Sequence, residues 1–250
     1  EHSFPTRRSS DLEMSQGEID KIVKAISDAA YNNAEKLAKM AEEETGFGKW
    51  QDKIVKNTFA SKGVYEYIKD LKTVGIINED KDKKLVEVAV PVGVIAGLIP
   101  STNPTSTAIY KSMIAIKAGN SIVFSPHPMG KKCILETIKI ISEAAVAAGA
   151  PEGTIGCMSI LTMQGTDQLM KHSDISLILA TGGTPMVKAA YSSGNPAIGV
   201  GPGNGPAFIE KSADIPLAVK RILDSKTFDN GTICASEQSI VVEEIGRAHV

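Results

Sequence analysis

The residues of this chain best suited to covalent chemistry are its three cysteines, Cys133, Cys157 and Cys234, and their settings differ. Cys133 falls in a run with helical periodicity and Cys157 in a short apolar run. Both fit the usual role of an unpaired cysteine, a small buried apolar residue. Cys234 lies in Thr227-Phe-Asp-Asn-Gly-Thr-Ile-Cys-Ala-Ser236, flanked by loop-forming Asp229, Asn230 and Gly231 and by small polar residues. A thiol displayed there could attack an electrophilic carbon; the alternative is the same buried apolar role. The spacing of the three gives neither a disulfide framework nor a metal-spaced pair, and no Walker pattern or metal-spaced His/Cys/Asp/Glu cluster stands elsewhere.

Two glycine-bearing segments could approach a ligand. Thr181-Gly-Gly-Thr184 follows an apolar run and precedes Pro185, so backbone N–H groups at a helix N-terminus could receive a phosphate there. An ordinary strand-to-helix turn is the competing reading. Gly199-Val-Gly-Pro-Gly-Asn-Gly205 resembles a dinucleotide fingerprint only superficially. That fingerprint needs a helix opening within it, whereas Pro206 and the apolar Ala207-Phe-Ile209 follow. These glycines are expected to let the loop pass close to something bulky.

The elements that would position these residues alternate. Residues 15–44 read as an amphipathic helix with Ile19, Ile22, Ile26, Ala30, Leu37 and Ala41 on one stripe. A second helical stretch spans about 52–71. From residue 84, strands and helices alternate. Strands are expected at 92–99, 121–124, 156–160, 175–180, 197–200 and 207–209. Helices are expected after 105, over 131–148, at 167–172 and from 184. Such alternation predicts an α/β fold, a doubly wound, mostly parallel Rossmann-like sheet preceded by N-terminal helices. Ligands bind such sheets beyond the carboxyl ends of the strands. The loops there are residues 100–105, 125–128 and 181–184.

The bulk properties are those of an ordinary globular protein: 250 residues, 42% hydrophobic, 22% charged, net charge −2. That charge gives no footprint for nucleic acid or an anionic membrane. The longest apolar run, residues 88–100, is too short and too broken by proline and glycine to span a bilayer. A cytoplasmic location is the default expectation. Both ends look foreign: residues 2–12 and 244–250 resemble conceptual translations of short-read sequencing adapter DNA, and we set them aside from fold reasoning. The expected division is an adapter-derived segment at 1–12, a helical region at 13–83, a coenzyme-binding domain at 84–226, the start of a catalytic domain at 227–243, and an adapter-derived tail at 244–250. The natural protein is expected to extend beyond residues 13 and 243.

Several runs together resemble the aldehyde dehydrogenase family, over about residues 17–243. They are Pro104-Thr-Ser-Thr-Ala-Ile109 with Asn103 before it, Phe124-Ser-Pro-His-Pro128, Leu179-Ala-Thr-Gly-Gly183 and Lys226-Thr-Phe-Asp-Asn-Gly231 leading to Cys234. The match is strongest to the CoA-acylating branch, especially the aldehyde dehydrogenase half of bifunctional aldehyde-alcohol dehydrogenases. The resemblance implies Cys234 as nucleophile and the Asn103 amide, with the Cys234 N–H, as oxyanion donors. It further implies coenzyme contacts at Ile99, Pro100, Ser101, Thr102, Ser125, His127, Thr181, Gly182, Gly183 and Gly201, with no metal. NAD is the implied coenzyme and CoA the co-substrate. Small aldehydes are the implied substrates, with acetaldehyde leading, and the full-length protein is expected to be a homo-oligomer.

Two departures refine this. Hydrolytic relatives carry a glutamate base in the segment matching residues 198–204, which here has no acid or base. Water attack on a thioester should then be slow, leaving a thiol as acceptor. The adenine-ribose loop, Ser125-Pro-His-Pro128, lacks the lysine and glutamate common in hydrolytic members, which leaves NADP open; His127 either touches ribose or faces solvent. The rival readings are a hydrolytic aldehyde dehydrogenase, separated by CoA dependence, and a non-catalytic assembly or scaffold domain, separated by thiol labelling.

Overall fold

The computed structural model describes residues 14–243; both adapter-like segments lie outside them. Helices α1 (Gln16–Asn32) and α2 (Ala34–Thr45) replace the single expected helix. The break falls at Asn33, whose side chain turns back to the Ala29 carbonyl at 2.9 Å. Ser15 and Glu18 form a reciprocal capping box at the start of α1. Ile19, Ile22, Ile26, Ala30, Leu37 and Ala41 are all buried, as the stripe predicted, and Val23 joins them. α3 (Trp50–Thr58) runs through a π-helical turn (Phe59–Gly63) into α4 (Val64–Ile68). α3 buries polar residues, Lys53 and Asn57.

An antiparallel hairpin follows, β1 (Gly75–Asp80) and β2 (Leu85–Ala89). The boundary expected at 83/84 falls in its turn, so the N-terminal region is not helical throughout. The sequence hid the hairpin because its charged turn, Asp80 to Lys84, reads as a solvated helix end.

The central sheet contains β3 (Val94–Ile99), β4 (Ser121–Pro126), β5 (Ile155–Cys157), β6 (Ile175–Thr181) and β7 (Ala197–Val200), in the order β5-β4-β3-β6-β7, all parallel. α5 (Pro104–Lys117) links β3 to β4 and α6 (Lys131–Ala147) links β4 to β5; both pack with α1 on one face. α7 (Met163–Lys171) and α8 (Thr184–Tyr191) accompany β6 and β7, and Leu169, Met170 and Ala190 fill the other face. Every residue of β3 and β4 is buried, as a sheet covered on both faces requires.

Three expectations need correction. β4 runs on through Ser125 and Pro126, so Ser125 is a strand residue. The expected 156–160 strand is only Ile155–Cys157, and α7 begins at Met163 because Thr162 caps it. Finally, β8 (Gly205–Ile209) does not join the central sheet. Through α9 (Ile215–Thr227) it pairs in parallel with β9 (Glu237–Val242), a separate unit straddling the boundary expected at 226/227.

Candidate active site

The chain leaves β3 in one direction for β4 and β5, then returns beside β3 to build β6 and β7. β3 and β6 therefore flank the point where strand order reverses, and the crevice beyond their carboxyl ends is the natural ligand position. Pro100, Ser101 and Thr102 leave β3 there, and Thr181, Gly182 and Gly183 leave β6. The His127 N–H donates to the Ile99 carbonyl at 3.1 Å, tying the loop after β4 to the same edge.

The edge is more committed than the sequence suggested. The Gly182 N–H already donates to the Val200 carbonyl at 3.2 Å, which closes the β6–β7 ladder and brings Gly201 alongside. The Gly182 N–H is therefore already engaged within the sheet. The Ser125 hydroxyl is shared with Thr166 at 2.8 Å. His127 is exposed, and its Nδ1 accepts the Met129 N–H at 3.2 Å. Neither Gly182 nor Gly183 has a left-handed φ, and a Cβ on either would meet only ordinary contacts within the chain. At Gly201 a Cβ would meet nothing. Internal packing does not demand glycine at these positions.

Beneath the crevice lies a residue the sequence reading missed. Lys111, from α5, is buried, and its Nζ donates to the Leu98 and Leu179 carbonyls, each at 2.7 Å. It thereby bridges β3 and β6 at the reversal. Burial without a carboxylate partner lowers its pKa to about 7.

The nucleophile side draws on distant segments. Cys234 is exposed. Its carbonyl lies so close to Gly203 that a Cβ there would overlap it, which identifies what the glycine loop passes against: the backbone of Cys234. The Asn103 amide Nδ2 donates to the Thr232 carbonyl at 3.3 Å, two residues before Cys234. Tyr110, seven residues after Asn103 and so on the same face of α5, is hydrogen-bonded to Thr181 and lies within electrostatic reach of Cys234. Burial raises its pKa, against the lowering effect of the Thr181 bond. Tyr110 thus connects the crevice to the nucleophile.

Behind the cysteine loop sits a buried charge cluster. Asp229 is wholly buried and takes a left-handed conformation, φ 49° and ψ 39°, which aspartate tolerates better than most residues. Its carboxylate accepts from Lys53 Nζ at 3.1 Å, from Lys56 Nζ, from the Thr232 hydroxyl at 2.7 Å and from the Lys49 N–H at 2.7 Å. The Asp229 N–H donates to Asp52 at 2.7 Å. Two lysines thus face two aspartates. Burial pushes the Asp229 carboxyl up, but these bonds outweigh it and hold its pKa below the ordinary value. Burial lowers the Lys56 pKa, only partly offset by Asp229, because two ammonium groups share that carboxylate. Gly48 is required where the loop meets α3: it has φ 74°, and a Cβ would collide with the Asp229 carboxylate. In the sequence the cluster's sole trace is a polar inward stripe, Lys53, Lys56 and Asn57, indistinguishable there from a solvated helix face.

Among the described residues no group of three His, Cys, Asp or Glu could hold a metal, and no helix is long and apolar enough to cross a membrane.

Comparison with known proteins decides the family: the aldehyde dehydrogenase family model matches residues 11–248. The chain belongs to the aldehyde dehydrogenase family. It is 52% identical over 227 residues to the bifunctional aldehyde-alcohol dehydrogenase of Escherichia coli K12, covering 91% of this chain and 26% of that protein. A crystal structure of a probable aldehyde dehydrogenase from Listeria monocytogenes EGD-e superposes with a TM-score of 0.94 at 70% identity, covering 98% of this chain and 54% of that one. The acetylating aldehyde dehydrogenase of Geobacillus thermoglucosidasius gives 0.93 at 55% identity, with the same coverages. Thus the chain spans about half the length of these solved aldehyde dehydrogenases, and about a quarter of the bifunctional protein. Among more distant family structures, a Rhodopseudomonas palustris propionaldehyde dehydrogenase, 33% identical, was solved with bound CoA and an acylated cysteine. An engineered glycolyl-CoA reductase, also 33% identical, was solved with NADP+.

Proposed function

We propose that the protein to which this chain belongs oxidises a small aldehyde, acetaldehyde first among candidates, with NAD and passes the acyl group to CoA, reversibly. The observation that carries this reading is the loop against Cys234. The segment touching the cysteine backbone, Gly199 to Gly205, contains no side chain able to activate water. An acyl group on Cys234 therefore lacks a hydrolytic base beside it, and an intrinsically nucleophilic thiol becomes the competent acceptor.

Cys234, as thiolate, attacks the aldehyde carbon and forms a tetrahedral adduct. The Asn103 amide and the Cys234 N–H hold the developing oxyanion; one such donor is typically worth about 3 kcal/mol. NAD, when bound, supplies the hydride acceptor. Ile99, Pro100, Ser101, Thr102, Ser125 and His127 would hold the nucleotide, and the Gly183 N–H at the start of α8 would donate to phosphate, with Gly182 and Gly201 leaving room. Loss of the hydride leaves a thioester on Cys234. The CoA thiolate attacks its carbonyl carbon, the C–S bond to Cys234 breaks, and the cysteine is regenerated.

The test is to omit CoA and follow NADH in the full-length protein. A burst near one NADH per active site is expected, followed by a stop. Sustained NADH formation with free acid as product would replace this reading with hydrolysis.

A further inference from the structure

Asn103 occupies the N-cap position of α5, ahead of Pro104. An asparagine there normally turns its side-chain oxygen back to accept an N–H of the first helical turn. Asn103 makes no such bond. Its Oδ1 instead accepts from Lys56 Nζ at 2.6 Å, leaving the helix without that side-chain cap.

The two ends of an amide differ: one only accepts, the other only donates. An ammonium group has donors alone, so Lys56 can hold only the oxygen end. With Oδ1 fixed, Nδ2 must face the other way, toward the cysteine loop. There it makes two long bonds, 3.3 Å each, to the Thr232 carbonyl and to the Thr102 hydroxyl. Both are longer than the usual N–H···O distance, so this edge is held in direction yet weakly engaged. Lys56 is fixed in turn by Asp229 and lies 3.4 Å from the Thr232 hydroxyl. Its side chain is nine-tenths buried, which spares this contact the screening an exposed cation suffers.

We infer that Lys56 is a positioning residue for the proposed reaction, orienting the Asn103 amide so that its N–H edge meets the oxyanion formed at Cys234. The inference rests on Asn103 and Cys234 acting as assigned above. Lys56 touches neither aldehyde nor coenzyme; it acts through Asn103. Its charge, placed behind the amide oxygen, also polarises the N–H bonds toward the developing negative charge.

The test is a double-mutant cycle in the full-length protein, reading CoA-dependent NADH formation with acetaldehyde. Lys56→Met should lower kcat about tenfold or more while aldehyde KM and NAD binding change by less than about threefold. In an Asn103→Ala background the same substitution should change kcat by less than about twofold, because nothing remains to orient. Lys56→Arg should restore part of the loss. If Lys56→Met proves poorly folded, the cycle is run with Lys56→Gln, which keeps a donor near both oxygens and should lose kcat by a smaller factor, again absent without Asn103. Equal losses with and without Asn103 would overturn the inference, reducing Lys56 to a support for the Asp229 loop and leaving the proposed function standing. Full turnover by Asn103→Ala alone would instead remove the oxyanion assignment, and this inference with it.

Discussion

The proposed coenzyme crevice and the loop carrying Cys234, the proposed nucleophile, are neighbours built by different means. The crevice belongs to one sheet: β3, β4, β6 and β7 deliver residues 99–102, 125–127, 181–183 and 201 to a common edge chiefly through backbone ladders. The nucleophile loop has no sheet under Cys234. It is held by isolated contacts from far along the chain: the Lys49 N–H and the Lys53 and Lys56 side chains on one side, the Asn103 side chain and the Gly203 backbone on others, all converging on residues 229–234. The crevice should tolerate loss of one side chain, because the ladders remain. The loop should be more sensitive, because its ties converge on one buried carboxylate, Asp229, with no ladder behind them.

Removing the nucleophile draws this contrast most sharply. In the full-length protein, Cys234→Ser should reduce CoA-dependent turnover by at least about a thousandfold while NAD binding, followed by titration, stays within about twofold. Loss of both together would mean that crevice and loop are not separable.

A smaller effect is expected from Asp229→Asn, which keeps the left-handed backbone comfortable but removes the buried carboxylate. Stripping the partner from buried lysines typically costs about 3–5 kcal/mol, read as a lowered unfolding midpoint in denaturant. Because the folded pKa of Asp229 is depressed, its contribution is present above the ordinary aspartate range and fades as pH falls through the folded value. The variant and the parent should therefore converge in acid. An undiminished gap there would assign the effect to geometry rather than charge.

The mildest probe belongs to the crevice. Lys111 titrates near 7 when folded, below its value in the unfolded chain. Between these two values the unfolded chain binds more protons, so stability should rise with pH from about 7 upward, by at most about 1.4 kcal/mol per pH unit. Lys111→Met should flatten that rise, and coenzyme binding should survive because the β3–β6 ladder persists. A parent with no such rise would show that the Leu98 and Leu179 carbonyls fully stabilise the ammonium.

The sequence by itself determined the fold class, the alternation of strands and helices from β3 to β7, and the loops after β3 and β6 at the sheet's ligand edge. Apolar periodicity and turn residues are local signals, and a parallel sheet with helical crossovers leaves few ways to arrange them. It also marked Cys234 and Asn103, through motifs that are themselves short runs. It could not place the β1–β2 hairpin, whose charged turn reads as a helix end, nor assign β8 to a second sheet, since a strand's partner is not written in its own residues. Lys53, Lys56, Asp229 and Lys111 were invisible as site elements for the same reason. A lysine on a helix, or an aspartate in a turn, reads as solvated unless something buries it, and the partners of these four come from segments up to 180 residues away. Even the amide of Asn103 was ambiguous in sequence: capping its own helix is the locally favoured bond, and only the approach of α3 gave its oxygen to Lys56 instead. Local chemistry selected the residues; their direction came from contacts that exist only once the chain has folded.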